Sequence, residues 1–498
     1  MALVEHIIAG ECTSGSTADR QAVFNPVTGE QTREVVLGGA ADVETAVEAA
    51  KAAFEGWSTT PPAKRARVMF RLREILERRA DEVARTISME HGKTHDDALG
   101  EVTRALEVVE YACGIPEKLK GNFSRDVGPG IDTCDERQPL GVVAGITPFN
   151  FPSMVPLWMI PMALAVGNTF VLKPSERCPS SANLIHDLLT EAGLPAGVLN
   201  VVHGGKDAVD AVLDHKDIHA VSFVGSTPIA EYVYTRGCAA GKRVQALGGA
   251  KNHMIILPDA DLDQAADALM GAGFGSAGER CMAISMAVPV GEETADRLVE
   301  KLAPMVEAMK IGPPDDADAA MGPVITLDAK NRIEGLISAG ESEGAKVVVD
   351  GRGLKLQGYE EGFWVGGTLL DRVTPAMTVY KQEIFGPVLS VLRAGSYDEA
   401  VKLINDHQYG NGTAIFTRDG DAARDFAKRI QVGMVGINVP IPVPVGYHSF
   451  GGWKRSIFGA HGIYGPEAIH FYTKLKTVTS RWPTGIRAGA EFTFPSMD

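Results

Sequence analysis

The sequence predicts an α/β protein built on two doubly wound parallel sheets, with a small β flap beside them. Three observations carry this. Short β-rich apolar runs alternate with helical stretches over residues 141–247, as parallel strands joined by right-handed crossovers require. A second alternating set runs from about 253 to 438, and no repeat of fixed period links the two. Two further segments, 121–140 and 471–498, are polar, turn-rich and strand-like, consistent with a protruding hairpin and a tail that pairs with it or with another subunit.

Along the chain, residues 1–40 read as turn-rich strands. Val43, Val47, Ala50 and Phe54 recur at helical spacing, predicting a helix that starts at Asp42 and ends before Gly56-Trp57. One long helix is expected over 63–90, with Val68, Leu72, Ile75, Leu76 and Val83 inward and Gly92 as its stop; a third covers 101–112. Beyond the hairpin come the strand GVVAGIT, the helix SSANLIHDLLTEA, the strand GVLNVVH, a helix over 206–213, the strand HAVSFVG, a helix over 228–234 and the strand RVQAL. The second set reads MIIL, a helix over 262–274, ISMAVPV, a helix over 293–309, VVVDG, PVLSVLR, a helix over 397–406, TAIFT, a helix over 421–430 and GMVGIN. The apolar stretch 151–172 carries Pro152, Pro156 and Pro161, so it reads as a buried helix leading into a strand, not as a membrane span.

Composition narrows the function. The chain of 498 residues has a net charge of −15, which disfavours a nucleic-acid partner and requires any anionic ligand to be met by local cations or amides. Its 55 glycines exceed ordinary usage without forming repeats, pointing to many tight turns. The Arg-rich stretch Arg65, Arg67, Arg71, Arg73, Arg78, Arg79 and Arg85 is interleaved with Glu74, Glu77, Asp81 and Glu82, as on the wet face of a helix. Six cysteines without a CxxC pair, and no leader pattern, fit a reducing cytoplasm. The pairs His91/His95 and His215/His219 lack the HExxH arrangement, so they read as surface histidines and no metal site is expected.

Candidate chemistry gathers at strand ends. Cys281, in GFGSAGERCMAISM, lies between a Gly-rich loop and a buried strand, where Arg280 and backbone amides could stabilise a thiolate; the alternative is an inert half-buried thiol, the reading given to the other five. The first strand of the 141–247 set runs into Pro148-Phe149-Asn150-Phe151-Pro152. Two prolines there fix the Asn150 amide at the carboxyl end of a parallel strand, as an oxyanion donor or as a side chain satisfying its own turn. Lys173, Glu176 and Arg177 follow the second strand, where a carboxylate can bind ribose hydroxyls. Gly225 and Ser226 sit at a strand-to-helix turn suited to a pyrophosphate, although no GxGxxG occurs.

In order along the chain, PFNFP, LKPSE, FVGST, LGG followed by KN, the ERC cysteine, QEIFGPV and FGGWKRS resemble the motifs of the aldehyde dehydrogenase superfamily. The resemblance covers about residues 10–480. SAGERCMA, QALGGAKNH and HSFGGWKRSIFG resemble its CoA-acylating branch, which acts on malonate and methylmalonate semialdehyde. It implies that Cys281 is the nucleophile and that Asn150, with the Cys281 amide, holds the oxyanion, giving a thioester acyl-enzyme. It also implies that Thr147, Phe149, Lys173, Glu176, Arg177, Ser226 and Gly248 contact NAD, with Glu383 on the nicotinamide ribose. Arg104 and Arg280 match the arginines that bind the substrate carboxylate; read alone, Arg104 is a solvated helix residue.

Hydrolytic relatives carry ELGG, whose Glu activates water. Here Ala246 stands in that place, which fits transfer to coenzyme A as co-substrate, a crippled enzyme, or a base displaced elsewhere. The organisation implied is a Rossmann-like NAD domain over 1–120 and 141–250, a catalytic domain over 251–440, a return segment over 441–470, and an oligomerisation flap from 121–140 and 471–498. A homodimer or homotetramer is expected. Rival readings are a hydrolytic NAD-dependent dehydrogenase of another aldehyde and a non-catalytic dinucleotide-binding protein.

Overall fold

The computed structural model describes residues 2–482, so the part of the expected flap beyond 482 lies outside the described residues. Five parallel strands form the centre of the first sheet. In space they run Leu199–Val201, Thr169–Lys173, Val142–Ile146, Ile218–Val224, Arg243–Leu247. Chain progression reverses between Val142–Ile146 and Ile218–Val224, so a crevice opens at their carboxyl ends. His6–Ile8 extends one edge antiparallel, and Ile457–Phe458 closes the other. The second sheet has seven strands in the order Lys346–Val349, Thr368–Asp371, Val388–Val391, Ile284–Pro289, Asn252–Ile256, Gly412–Phe416, Met434–Ile437. Only its first pair is antiparallel. The α/β class and both sheets thus match expectation.

The third unit is a three-stranded antiparallel sheet in which Thr473–Arg481 pairs residue by residue with Ile131–Pro139, and Phe123–Gly128 covers the far edge. The apolar stretch over 151–172 is the helix Met154–Ala165, buried at all twelve positions, followed by the buried strand Thr169–Lys173. Among the described residues no helix is long and apolar enough to cross a membrane.

Several expectations need correction. The first helix does not stop before Gly56; it spans Ala40–Thr59, because the Trp57 indole is buried and donates to the Leu164 carbonyl at 3.0 Å. The long helix over 63–90 is two helices, Pro62–Arg78 and Ala80–His91, broken at Arg79, whose backbone (φ −104°, ψ 19°) leaves the helical region. Arg65 is not on the wet face. It is buried, and its guanidinium donates to Ala165, Ser58 and Thr60 carbonyls, satisfying the open end of helix Met154–Ala165. The helix Leu327–Ser342 and the strand Thr368–Asp371 were not anticipated, whereas the strands expected within 1–40 are present, three of them, Ala2–Val4, Gln31–Val36 and Arg20–Phe24, forming a small sheet of their own.

Candidate active site

Cys281 is presented by a left-handed turn. Helix Leu262–Phe274 ends, and Ser276, Ala277 and Gly278 then adopt φ of 54°, 51° and 70°. Such backbone costs free energy at non-glycine residues and persists where its surroundings impose it. At Gly278 a methyl would stand 2.1 Å from the Gly386 carbonyl oxygen, so this turn needs glycine there. Beyond it the Asn252 and Asn411 amides donate to the Cys281 carbonyl at 2.9 and 3.1 Å, anchoring the Cys281 loop to the amino ends of two strands.

The half-buried Cys281 thiol lies between two hollows. A cavity of about 350 Å³ is lined by Cys281, Arg280, Arg104, Asp97, Glu101 and the apolar Phe151, Met154, Trp158, Ile441, Val443 and Phe450. A hollow of about 20 Å³ on its other side is shared by Cys281, Arg280, Ala250, Asn252 and Glu383. Burial, and then the Glu383 charge, push the Cys281 pKa up to about 12, so in this form the group is a thiol.

Asn150 is buried, and its amide donates to the Glu279 carbonyl at 2.9 Å, two residues before Cys281. Its own carbonyl accepts from the Lys93 ammonium at 2.7 Å. Lys93 also donates to Glu101 at 2.9 Å and lies 4.3 Å from the Phe151 ring centre. The other oxygen of Glu101 accepts the amides of Ser153 and Met154, the start of helix Met154–Ala165, at 2.9 Å each. This fully buried pair therefore clamps the loop that carries Asn150.

Helix His95–Cys113 supplies three groups at helical spacing. Asp97 holds Arg280 at 2.6 Å, Glu101 holds the Asn150 loop, and Arg104 lines the cavity. Arg104 is not a solvated helix residue. It is half-buried, forks onto Glu107 at 2.8 and 2.9 Å, and donates to the carbonyls of Val443 and Pro444 at 3.1 and 2.8 Å.

Seven of the expected nucleotide residues lie at or follow the carboxyl ends of strands in the first sheet, and Glu383 approaches from the loop after helix Thr378–Lys381. Thr147 follows the first strand; it is buried, and its hydroxyl has no partner among the described residues. The Phe149 ring lies between His91, Phe385 and the Arg177 guanidinium, the last 5.4 Å from its centre. Lys173 is buried and bonds the half-buried Glu176 at 3.0 Å; burial raises the Glu176 pKa, but the Lys173 charge and hydrogen bonds hold it below the usual carboxylate value. Ser226 is the exposed N-cap of helix Thr227–Ala239 and makes no side-chain cap bond. Gly248 follows Arg243–Leu247 and donates to the Ser456 carbonyl at 2.9 Å. Ala246 is fully buried within that strand, paired with Phe223 and Phe458. Glu383 accepts the Ala250 amide at 2.9 Å; burial raises its pKa to about 7.

Sequence reasoning missed Lys93, Glu101, Asp97 and Glu279. The spacing of Asp97, Glu101 and Arg104 on one helix face was the available signal. His91 needs outright correction: it is fully buried, not a surface residue, and both ring nitrogens lack partners among the described residues. Its Nε2 is 3.7 Å from Glu279, whose carboxyl is also buried; the histidine stays neutral because burial depresses its pKa, while burial lifts Glu279 to about 8. Of the other five cysteines only Cys134 is half-buried: Cys12 and Cys238 are exposed, on an edge strand and an outer helix face, and Cys113 and Cys178 are buried in the core.

Residues 13–478 match the aldehyde dehydrogenase family. A malonate-semialdehyde dehydrogenase of Pseudomonas aeruginosa is 58% identical over all of both chains. An acylating, mitochondrial methylmalonate-semialdehyde dehydrogenase of Arabidopsis thaliana is 47% identical over 97% of this chain and 80% of that one. A Sinorhizobium meliloti structure solved with NAD is 59% identical and superposes with a TM-score of 0.97, covering 98% of this chain and 99% of that one.

Proposed function

The chain belongs to the aldehyde dehydrogenase family, and from that premise we propose that it oxidises malonate or methylmalonate semialdehyde with NAD and passes the acyl group to coenzyme A. The observation that carries the reading is the cavity in which Cys281 shares its walls with two arginines, Arg104 and Arg280. A three-carbon acid with an aldehyde at its far end needs such a nucleophile beside a cationic anchor, in a protein whose net charge of −15 repels anions elsewhere.

The residues at the first sheet's edge fit a dinucleotide: an unpartnered buried Thr147 hydroxyl, a Glu176 carboxylate beside the sheet, and an uncapped helix start at Ser226. Lys173, Arg177, Phe149, Gly248 and Glu383 complete the set that would hold NAD. Bound there, NAD would supply the hydride acceptor that oxidises the thiol adduct of the aldehyde. The protein supplies the rest. Cys281 attacks the aldehyde carbon, and the Asn150 amide, turned from the Glu279 carbonyl, together with the Cys281 amide, holds the oxyanion. Arg104 and Arg280 bind the distal carboxylate until, at the thioester stage, it departs as carbon dioxide. Its bonding electron pair passes to the thioester enolate, which takes a proton from water to give the acetyl or propionyl thioester that is passed to coenzyme A as acetyl-CoA or propionyl-CoA. The apolar wall of Phe151, Trp158 and Phe450 limits water around the thioester. Buried Ala246 offers no base for hydrolysis, which favours a thiol acceptor.

The three-stranded sheet serves in this reading as a subunit contact in a dimer or tetramer, supported by exposed Phe123, Leu475 and Trp482. The test of function is NADH formation from each semialdehyde with and without coenzyme A. Coenzyme A is expected to raise turnover and yield the acyl-CoA; full activity without it, with free acid as product, would defeat the acylating reading.

A further inference from the structure

An acyl group on Cys281 can pass to an incoming thiol only if that thiol's proton has somewhere to go. The two hollows that meet at Cys281 contain three carboxylates. Glu101 is occupied on both oxygens, by Lys93 at 2.9 Å and by two amides, and Asp97 is ion-paired through one oxygen to Arg280 at 2.6 Å, its other oxygen having no partner among the described residues. Glu383 differs. It shares the smaller hollow with the sulfur, accepts one N–H, from Ala250, and no cation lies within ion-pair distance of it among the described residues. Its second oxygen lies against Gly249, where a side chain would stand 2.4 Å away, so the bare glycine leaves the carboxylate its place.

We propose that Glu383 is the general base of the second half-reaction, taking the proton of the thiol that removes the acyl group from Cys281. The inference rests on the thioester reading above and extends it. As the acceptor sulfur bonds to the acyl carbon, its proton passes to a Glu383 oxygen. The carbon–sulfur bond to Cys281 breaks, its electron pair remains on Sγ, and Glu383 returns the proton there. Both groups end as they began, and no electrons change hands. The groups facing Glu383 are Lys251, Arg332, Cys281 and Arg280. Lys251 is anchored on the carbonyls of Val379 and Gln382, at 2.6 and 2.9 Å, where it steadies the approach to Glu383. Burial dominates over these cations, leaving the carboxyl with a pKa of about 7, which suits a base working near neutrality.

The test omits NAD, so a role of Glu383 on ribose cannot enter. Full-length enzyme is acylated with p-nitrophenyl acetate, and release of the acetyl group is followed with and without coenzyme A from pH 5.5 to 9. The wild type is expected to show thiolysis rising through an apparent pKa of about 7. Glu383→Gln, which keeps an acceptor for the Ala250 amide, is expected to form the acetyl-enzyme more slowly, since Glu383 exchanges a proton with Sγ, and, once acetylated in full, to lose about 10²-fold or more in thiolysis and follow only the ionisation of the free thiol. A Glu383→Gln enzyme with wild-type thiolysis would overturn the proposal. So would a wild-type profile that tracks free-thiol ionisation alone, a result that needs no variant. If coenzyme A does not accelerate wild-type deacylation at all, it is the acyl-transfer reading itself that fails.

Discussion

The Lys93 ammonium donates to the main-chain oxygen of Asn150 at 2.7 Å, with both residues buried. Lys93 thereby ties the expected oxyanion donor to Glu101 and, through it, to the first amides of helix Met154–Ala165. Removing the cation strands a buried carboxylate. Lys93→Met is expected to lose about 3–5 kcal/mol in urea unfolding. In protein that remains folded, kcat is expected to fall more than KM rises. A stable variant with unchanged kcat would show that the clamp is not needed to place Asn150.

Asn150 itself should act on the transition state. Its amide now rests on the Glu279 carbonyl at 2.9 Å, a neutral acceptor that a developing oxyanion would outcompete. Asn150→Ala is expected to lower kcat by about 10²–10³-fold with little change in KM, as for other single oxyanion donors. Steady-state kinetics on one semialdehyde decide it; a variant altered only in KM would reassign the residue to substrate binding.

Arg104 and Arg280 face the same cavity, each already held by an acid, Glu107 and Asp97 respectively. Those pairs hold the guanidinium groups in place beside the cavity, where a substrate carboxylate would compete with the present acceptors. Each Arg→Ala change should remove a charge-assisted contact of about 1.5–3 kcal/mol, or roughly 10–100-fold in kcat/KM for a semialdehyde. Propanal, which has no carboxylate, should respond far less. Equal losses on both aldehydes would argue against carboxylate recognition.

The turn before Cys281 offers a geometric test. At Gly278 (φ +70°) a methyl would meet the Gly386 carbonyl oxygen, whereas at Gly241 (φ +76°) it would meet nothing within 4 Å. Gly241→Ala should therefore cost only about 1–2 kcal/mol, for its left-handed backbone. Gly278→Ala carries the same backbone cost plus a collision that moves the Cys281 loop. It is expected to lose most activity, with lower thermal stability than Gly241→Ala; similar behaviour of the two would refute the assigned strain.

The sheets were legible because parallel strands buried on both faces appear as apolar runs such as GVVAGIT and TFVLK, set between helices with clear polar faces. The expected site residues Cys281, Asn150 and Glu383 were legible through motif resemblance, not periodicity. Lys93 and Glu101 were not, because a buried ion pair looks in sequence like two ordinary surface charges. His91 misled for a related reason. Its polarity suggested solvent, but Phe149 and Glu279 enclose it after the chain has travelled through two sheets. Arg65 repeats the lesson: one of the carbonyls that accept from it, that of Ala165 at the end of helix Met154–Ala165, is 100 residues away.

Glu279 and His91 make the fold sensitive to pH in opposite directions. Burial raises the Glu279 pKa from 4.5 to about 8, so between those values the folded chain keeps a proton that the unfolded chain has released. The stability this contributes is fully present below about pH 4.5 and is lost as pH rises through 8. His91 is depressed below 6.5 by burial, so stability is also lost as pH falls beneath that value, where the unfolded histidine binds a proton and the buried one does not. Glu279→Gln removes only the alkaline component, and the Ile325 amide keeps an oxygen acceptor. Its unfolding free energy is therefore expected to gain on that of the wild type as pH rises from 5 to 8, by about 1 kcal/mol per pH unit, with a correspondingly higher melting temperature, and the gap to level off above pH 8. Scanning calorimetry across the range measures the gap directly. Parallel curves would mean that the Glu279 carboxyl ionises as freely in the folded chain as in the unfolded one.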